Sequence, residues 1–284
     1  MTATRSNQHP TSNIQHLGLI AGSGRFPILA LEEARRLGYQ VVAIALREEA
    51  SPEVEAAAWR CHWISLGELG KLIEILKAEG VDQIMMAGQV KHARIFSSIR
   101  PDWRLVKLLA SLPERNTDAL IGGVAKVLAE EGISLVDSTT FLKPLLAAEG
   151  VLTRRKPTRE EREAIDYGRR VAHALAGFDI GQSVAIAGRA CVAVEAMEGT
   201  DAMLRRAAGL ANGRSLVVVK VSTRRKRMVF DVPVAGPETI AVMRQCGATS
   251  LAVDAGRTLL LDRAEMLANA DACGISVAGY PPLD

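Results

Sequence analysis

The sequence has few aromatic residues and few cysteines, and it lacks any long apolar run. Phe, Trp and Tyr make up 4% of its 284 residues, so the core must be built mainly from Leu, Val, Ile and Ala. This palette suits α/β layers better than an aromatic-rich sandwich. No apolar run approaches the roughly 20 residues that a membrane-spanning helix requires. We therefore expect a protein that does not cross a bilayer.

The sequence also lacks the Cys and His spacings of zinc sites and has a low net charge. The four cysteines form no CxxC pair, and the five histidines show no HxxxH or HxH spacing, so a zinc site is not expected. Each cysteine lies in an apolar stretch, which predicts reduced core residues of a cytosolic protein. A net charge of +3 is too small to indicate nucleic-acid binding.

The chain divides into three parts by pattern. Residues 1–16 are polar and lack a signal-peptide apolar core, and we expect them to be a disordered leader. Over residues 17–150 short apolar runs alternate with amphipathic segments, which predicts a Rossmann-like domain with a parallel sheet. A charged, proline-containing stretch follows, and we place the domain boundary there. Residues 151–284 begin with a helix and a hairpin signal at Gly188-Arg189, which predicts a mixed α/β domain.

Two glycine-containing turns follow predicted strands of the first domain. Gly22, Ser23 and Gly24 separate a strand from a helix, and Gly88 with Gln89 closes another strand. Ligands of open α/β sheets lie beyond the carboxyl ends of the strands, so both turns should face one crevice. A helix N-terminus at this place suits a phosphate or nucleotide. A plain tight turn explains the first turn equally well, and for Gly88 taken alone a glycine that ends a strand or helix is the better explanation.

A dinucleotide site is a weaker interpretation of the first turn. The fingerprint would need a third glycine where Pro27 stands, and Glu48 is poorly placed for the acid that binds ribose. An NAD(P)-dependent oxidoreductase therefore remains an alternative function.

The phrase Glu198-Gly199-Thr200-Asp201 opens a predicted helix of the second domain. Thr and Asp in the first turn are explained by capping and by the helix dipole. However, Gly199 also lets a ligand approach the backbone, and Glu198 and Asp201 lie within one turn of each other. Two neighbouring carboxylates are a common way to hold Mg²⁺ beside a diphosphate.

Asp231 follows a strand-like run and a block of four cations that begins with Arg224. The cations can neutralise phosphate oxygens. The carboxylate can hold a metal ion or direct a water molecule. Pro233 stiffens the chain just beyond Asp231. A solvated basic loop and a strand-end Asp are the plain alternatives.

The chain contains the phrases LGLIAGSGRFP at 17–27, DIGQ at 179–182, VEAMEGTDAMLRR at 194–206 and DVP at 231–233. In these four phrases it resembles the LpxI-type UDP-2,3-diacylglucosamine pyrophosphatases of bacterial lipid A synthesis. The third phrase is long and specific, whereas the glycine turn alone is not. The similarity runs from about residue 16 to the C-terminus.

This resemblance implies a two-domain, dimeric enzyme that holds its substrate between the domains. It implies hydrolysis of UDP-2,3-diacylglucosamine to UMP and 2,3-diacylglucosamine 1-phosphate with Mg²⁺ or Mn²⁺, water being directed at the sugar-side phosphorus. Because this substrate is amphiphilic, a cytoplasmic enzyme should work peripherally at the inner face of the inner membrane.

The resemblance also assigns residues. Asp231 occupies the position of the family's essential aspartate, and we expect it to be catalytic and a metal ligand together with Asp201 and Glu198. The expected substrate-binding residues are Gly22, Ser23, Gly24, Gly88, Gln89, Gln182, Gly199, Thr200 and Arg224.

The segment before Asp231 departs from the family pattern. The family usually has Lys-Pro-x-Gln-(Asp/Glu)-x-Arg there, whereas residues 223–229 read TRRKRMV and lack the usual Gln, acid and Arg. This departure keeps open a second alternative, a UDP-sugar- or lipid-binding protein without turnover.

Overall fold

The computed structural model describes residues 16–90, 100–112, 117–223 and 232–283, which form two α/β domains. In the first domain the strands are β1 (His16–Ala21), β2 (Gln40–Leu46), β3 (Arg60–Ile64), β4 (Gln83–Ala87) and β5 (Ser134–Leu135). The helices are α1 (Phe26–Arg36), α2 (Glu53–Ala57), α3 (Leu69–Ala78), α4 (Trp103–Ser111) and α5 (Thr117–Glu130). A short 3₁₀ helix covers Lys143–Leu145.

All pairings in the first sheet are parallel, in the order β3-β2-β1-β4-β5. Alternate residues of β2 enter opposite cores: Val41 and Ala43 pack in a cluster with α1, whereas Val42 and Ile44 pack in a cluster with α3. The sheet is therefore covered by helices on both faces, as expected for a strand buried on both sides. The predicted Rossmann-like parallel sheet is confirmed.

The second domain contains strands of both directions. Its strands are β6 (Gly150–Val151), β7 (Ser183–Ala187), β8 (Ala190–Val194), β9 (Leu216–Lys220), β10 (Val234–Ala235), β11 (Ala248–Asp254), β12 (Leu259–Leu260) and β13 (Ser276–Tyr280). Its helices are α6 (Arg159–Gly177), α7 (Thr200–Leu210), α8 (Pro237–Gln245) and α9 (Arg263–Ala272).

The second sheet has the order β6-β13-β11-β9-β7-β8. Its centre is parallel, since β11 pairs in parallel with both β9 and β13, while β6, β7 and β8 add antiparallel pairs. The hairpin predicted at Gly188-Arg189 joins β7 to β8. Helix α6 covers one face, and α7, α8 and α9 contribute to the core on the other. The predicted mixed α/β domain is confirmed.

Local sequence signals explain where the longest helix begins. Thr158 caps α6 by accepting from the backbone N–H of Glu161, and the Glu161 side chain accepts from the N–H of Thr158 in return. This reciprocal capping box satisfies two amide groups that the first turn leaves free. Gly168 lets α6 approach the sheet, because an added Cβ would lie 2.8 Å from a Val219 methyl.

The parallel pair β10–β12 belongs to both domains. Leu259 and Leu261 pack into the cluster of the first domain that contains Leu19 and Phe141, whereas the intervening Leu260 packs into the core of the second domain. The same alternation holds on β10, where Val234 faces the first core and Ala235 the second. The period-two geometry of a strand thus ties the two cores together.

Several details differ from the sequence expectations. β1 begins at His16, one residue before the expected domain start, and residues 1–15 of the expected leader lie outside the described part. Gly150 pairs with Gly279 in the second sheet rather than ending the first domain. Helices α2 and α4 and the two-residue strands β6 and β10 were not predicted; α2, β6 and β10 are too short to carry a periodic signal. Of the cysteines, Cys246 is buried, while Cys61, Cys191 and Cys273 are only half-buried.

Leu259→Ala should destabilise the whole protein. The side chain is fully buried in the first core, so its loss should lower the free energy of unfolding by about 2–5 kcal/mol. Urea unfolding followed by circular dichroism measures this change. Leu210→Ala is the matched control, because that leucine is 53% exposed and its truncation should change the free energy by about 0.5 kcal/mol or less. Equal effects of the two substitutions would contradict the shared-core assignment.

Candidate functional site

The two glycine turns of the first domain meet at the carboxyl edge of the first sheet. The backbone N–H of Ser23 donates to the carbonyl of Gln89 at 2.8 Å, and the N–H of Gln89 donates back to the carbonyl of Ser23 at 3.1 Å. The Ser23 hydroxyl also donates to the Gln89 carbonyl at 2.8 Å. The structure therefore brings Gly22, Ser23, Gly88 and Gln89 together, as the strand order requires.

Close packing explains two of these glycines. A Cβ on Gly22 would lie 2.7 Å from the Gln89 carbonyl oxygen, and one on Gly88 would lie 2.6 Å from the Ser23 carbonyl oxygen. Gly88 also has φ +89°, which disfavours other residues. Both glycines are thus required for the close contact between the turn after β1 and the turn after β4. We call these two joined turns, residues 22–24 and 88–89, the rim of the first domain.

Gly24 has a different role. Its φ is +90°, and an added Cβ would find nothing within 4 Å, so the backbone there is open on one side. Helix α1 begins just beyond it with Pro27 in the first turn and with no side-chain cap. The first amide groups of the helix therefore have no side-chain acceptor at the N-cap, and helix starts of this kind suit an anion.

Arg25 is a cation at this rim that the sequence reasoning did not single out. It lies 3.5 Å from Asp262, just before α9 in the second domain, and 3.7 Å from Glu32. The pair with Asp262 bridges the two domains beside the first glycine turn. Its position inside LGLIAGSGRFP is the sequence signal that could have identified it.

The second group of predicted residues opens α7. Gly199 is the N-cap residue with φ +83°, and no side chain caps this end. Glu198 is exposed; it accepts from Arg206 at 2.5 Å and from the N–H of Ala196 at 3.0 Å. The hydrogen bond from Arg206 holds the pKa of the Glu198 carboxyl below its ordinary value. Glu198, which precedes α7, is therefore engaged with a cation of that helix.

Thr200 is the centre of a side-chain network. Its hydroxyl donates to Glu195 Oε1 at 2.9 Å and accepts from Lys220 Nζ at 2.8 Å, and Ser183 Oγ lies 3.3 Å away. Lys220 and Ser183 are cross-strand partners on β9 and β7. Sequence reasoning missed Lys220, Glu195 and Ser183, because they are brought to Thr200 only by the folding of the second sheet.

Asp201 is half-buried beside this network. Burial raises the pKa of its carboxyl, and the neighbouring Glu238 acts in the same direction, while Arg205 and Lys220 oppose the change. A carboxylate that loses water without gaining a hydrogen bond is poised to gain a cation. Over the ranges that the structure describes, however, no three His, Cys, Asp or Glu side chains are grouped as metal ligands.

Gln182 lies at the same edge of the second sheet. It immediately precedes β7, and its carbonyl accepts from the N–H of Val221 at 2.9 Å, directly after Lys220. The predicted Gln182, Gly199 and Thr200 therefore share one edge of the second domain. The glycine turns with Gly88 and Gln89 share the corresponding edge of the first.

Asp231 and Arg224 lie outside the described residues, within the gap 224–231. The chain on both sides of this gap is firmly anchored. On one side the backbone N–H and the hydroxyl of Ser222 donate to Asp254 Oδ2 at 2.9 and 3.3 Å. On the other side Val232 packs against the core of the first domain.

Asp254 is a buried carboxylate that sequence reasoning also missed. It is fully buried at the end of β11, and its Oδ1 lies 3.3 Å from Nε2 of the buried His173 on α6. That approach is within ion-pair distance but lacks hydrogen-bond geometry. Since its other oxygen holds Ser222, Asp254 fixes the point at which the chain leaves β9.

A hollow lined by Leu17, Tyr39, Gln83 and Phe141 lies at the opposite edge of the first sheet. These residues stand at or just before the amino ends of the strands or on the loop after β5. Ligands of open parallel sheets bind at the carboxyl ends, so this hollow is not the candidate site.

Comparison with known proteins identifies the family. The LpxI N-terminal domain matches residues 16–145, and the LpxI C-terminal domain matches residues 148–278. The chain belongs to the LpxI family. A curated relative from Caulobacter vibrioides, UDP-2,3-diacylglucosamine pyrophosphatase LpxI, is 32% identical over 279 residues, which cover 95% of this chain and 99% of the relative. The resemblance inferred from the four phrases is confirmed.

Solved structures of other families are much less similar. A phosphoribosylglycinamide synthetase from Anaerococcus prevotii aligns with 61% of this chain and 31% of its own at 12% identity and a TM-score of 0.26. An N5-carboxyaminoimidazole ribonucleotide synthetase from Thermotoga maritima aligns with 65% and 43% at 14% identity and a TM-score of 0.26. Scores this low support no inference about this LpxI-family chain.

Throughout the described ranges, every helix is either too short or too polar to traverse a bilayer.

Gly22→Ala should disrupt the rim of the first domain. The added Cβ would push against the Gln89 carbonyl and separate the two turns, at a cost of about 1–3 kcal/mol in unfolding free energy. Gly122→Ala on α5 is the matched control, because nothing lies within 4 Å of its Cβ position. Alanine is the better helix former, so this control should stabilise the protein by up to about 1 kcal/mol. Thermal unfolding midpoints of both variants and of the wild type measure these changes. A Gly22→Ala protein as stable as the wild type would contradict the packing role of Gly22.

Proposed function

We propose that this LpxI-family protein hydrolyses UDP-2,3-diacylglucosamine in lipid A synthesis, with UMP and 2,3-diacylglucosamine 1-phosphate as products. The observation that carries the proposal is the match of both LpxI domains, together with a relative of that named activity that is 32% identical over 95% of the chain. One water molecule is consumed: its oxygen joins the sugar-side phosphorus, and UMP leaves with the bridging oxygen.

In this proposal the first domain receives the nucleotide or phosphate part. The open backbone at Gly24 and the uncapped start of α1 supply amide donors to an anion. Gly22 and Gly88 would contribute to binding by holding this backbone in place. Ser23 and Gln89 would contribute through the backbone hydrogen bonds that join the two turns. The Ser23 hydroxyl is already committed to the Gln89 carbonyl.

The second domain faces the diphosphate at the start of α7. Gly199 and Thr200 offer backbone amides of an uncapped helix terminus, and Gln182 lies on the same edge. Arg224 is proposed to meet phosphate charge from the basic segment. Because the Thr200 hydroxyl is occupied by Glu195 and Lys220, the contribution of Thr200 to substrate comes from its backbone.

Asp231 is the proposed catalytic carboxylate. It is bonded to Val232, which packs on the first domain, and its segment starts from Ser222, which is fixed within the second domain. These two anchors support a position at the junction of the domains. In that position the carboxylate would orient the attacking water.

We also propose a Mg²⁺ or Mn²⁺ ion. Asp201, half-buried and without a cationic hydrogen-bond partner among the described side chains, suits a ligand, and Asp231 would be the second. Glu198 fits poorly, because Arg206 already neutralises it. When bound, such an ion would draw charge from the diphosphate.

Three further proposals follow from the substrate. Two acyl chains anchored in a leaflet require the enzyme to act at the cytoplasmic face of the inner membrane, by peripheral contact. Phe178 and Met197, both nearly four-fifths exposed, are apolar side chains of the second domain that suit such contact. A homodimer is proposed from the family resemblance alone.

Asp231→Asn should abolish turnover while preserving substrate binding. Purified protein would be mixed with UDP-2,3-diacylglucosamine in detergent micelles with Mn²⁺, and UMP release followed by chromatography. Loss of the carboxylate should lower kcat by roughly 10²–10⁴-fold, the range for a general acid–base group. In ¹⁸O-labelled water the label should appear in the sugar phosphate.

Asp82→Asn, an equivalent change at an exposed site beside β4, should leave the rate unchanged. Full activity of Asp231→Asn would contradict the catalytic assignment. Binding of the substrate by the wild type without any product would instead support the alternative of a UDP-sugar-binding protein. No structural observation favours the oxidoreductase: Glu48, the candidate acid for ribose, accepts from the N–H of Leu66.

Removal of divalent metal should abolish UMP release. Activity would be measured after treatment with EDTA and again after addition of Mg²⁺, Mn²⁺ or Ca²⁺. Recovery with Mg²⁺ or Mn²⁺ is expected, since diphosphate and carboxylate oxygens are hard ligands. Asp201→Asn should raise the metal concentration needed for half-maximal activity. Undiminished activity in EDTA would contradict the metal proposal.

A further inference from the structure

Four polar side chains from separate elements converge at the carboxyl end of β9. Ser183 begins β7, Glu195 follows β8, Thr200 begins α7 and Lys220 ends β9. The preceding residues of β9, from Leu216 to Val219, are buried and apolar. Lys220 is therefore the first side chain of this strand to leave the core.

The proton of the Thr200 hydroxyl fixes the directions of these bonds. Glu195 Oε1 is the acceptor at 2.9 Å, and a hydroxyl has only one proton to give. The bonds to Lys220 and to Ser183 must then be accepted by the two lone pairs of Thr200. The hydroxyl is saturated, and it cannot donate to a phosphate without breaking this network.

Among these four side chains, Lys220 is the one that retains unused hydrogen-bond donors. An ammonium group has three N–H bonds, and in the described part of the chain one of them is used, on Thr200. Among the described residues, Glu195 Oε2 is buried without a hydrogen-bond partner, while its Oε1 accepts from Thr200. The hydrogen bond to Thr200, whose hydroxyl Glu195 orients, therefore holds the ammonium at the edge of the sheet.

We propose that Lys220 binds the diphosphate of the substrate, and that Thr200 and Glu195 act as its positioning residues. The inference rests on the proposed function and deepens it by naming the cation that faces the diphosphate. Lys220 lies beside the uncapped start of α7, and the chain runs from it through Ser222 towards Asp231. An ammonium with two free N–H groups is suited to two phosphate oxygens, and such charge-assisted bonds are strong.

The experiment measures binding of UDP by calorimetry and hydrolysis of UDP-2,3-diacylglucosamine for the same set of proteins. Lys220→Met should weaken UDP binding by about 10- to 100-fold, the loss expected for hydrogen bonds to a charged group. Lys220→Gln can still donate to Thr200 but carries no charge, and it should weaken binding almost as much. Lys220→Arg should restore part of the affinity.

Lys156→Met is the matched control. Lys156 is an exposed lysine of the same domain, placed near the amino ends of β11 and β13 rather than the carboxyl end of β9. Its removal changes the net charge equally and should leave both measurements within two-fold of the wild type. Thermal midpoints identify any variant that fails to fold, in which case Lys220→Gln replaces Lys220→Met.

Thr200 provides an independent readout. Thr200→Ser keeps the hydroxyl and should retain wild-type affinity for UDP, whereas Thr200→Val should weaken it because Lys220 loses its partner. In the double variant Thr200→Val, Lys220→Met the two losses should not add, since both act through one ammonium.

Wild-type affinity for UDP in both Lys220→Met and Lys220→Gln would overturn the inference, and so would equal losses in Lys156→Met. The failure of the proposed function is separate: a wild-type protein that releases no UMP contradicts the hydrolase, whatever the affinity of the lysine variants for UDP. Weakened UDP binding in the folded Lys220 variants, beside an unaffected Lys156→Met, supports the inference whether or not the wild type releases UMP.

Discussion

The structure depends on the burial of three consecutive leucines in two different cores. Leu259 and Leu261 pack in the first domain and Leu260 in the second, because successive side chains of a strand point to opposite sides. This constraint joins the β10–β12 pair to both domains. It also sets where the chain around Val232 runs, and therefore where the segment that contains Asp231 is attached.

The candidate site consists of two sheet edges with different physical characters. At the first edge, hydrogen bonds lock the backbone of the two glycine turns together, and the start of α1 has no side-chain cap. At the second edge, side chains dominate: Thr200 is saturated by its neighbours, and Lys220 retains donors. Backbone amides suit recognition of a nucleotide or phosphate, whereas a held ammonium suits the charge of a diphosphate. The division of labour is consistent with the proposed hydrolysis.

Periodicity was sufficient to predict most of the fold. The apolar runs of β1, β2 and β4 and the face of α3 have strong patterns, and the glycines at their ends mark the turns. The short elements β6 and β10 could not be predicted, because two residues carry no periodic signal. The predicted site residues were those within recognisable phrases. Lys220 and Asp254 were missed because each is a single polar residue at the end of an apolar run, and Glu195 was missed although it lies within the phrase at 194–206, because its contact with Thr200 arises only from folding. Thr200 was predicted to bind substrate without reference to an atom, and the sequence could not show that its neighbours in space already occupy its hydroxyl.

Because β12 packs into the cores of both domains, the domains of different family members cannot be exchanged freely. A chimera that joins the first domain of one family member to the second domain of another must choose which parent supplies β10 and β12. One face of β12 has to fit the core of the first parent and the other face the core of the second parent, since Leu259 and Leu261 fill one core while Leu260 fills the other. A seam placed between the two domain families at residues 145–148 would therefore separate the first core from two of its own leucines. Domain exchange in this family should succeed only when the residues that contact Leu259 and Leu261 travel with the donor of the second domain.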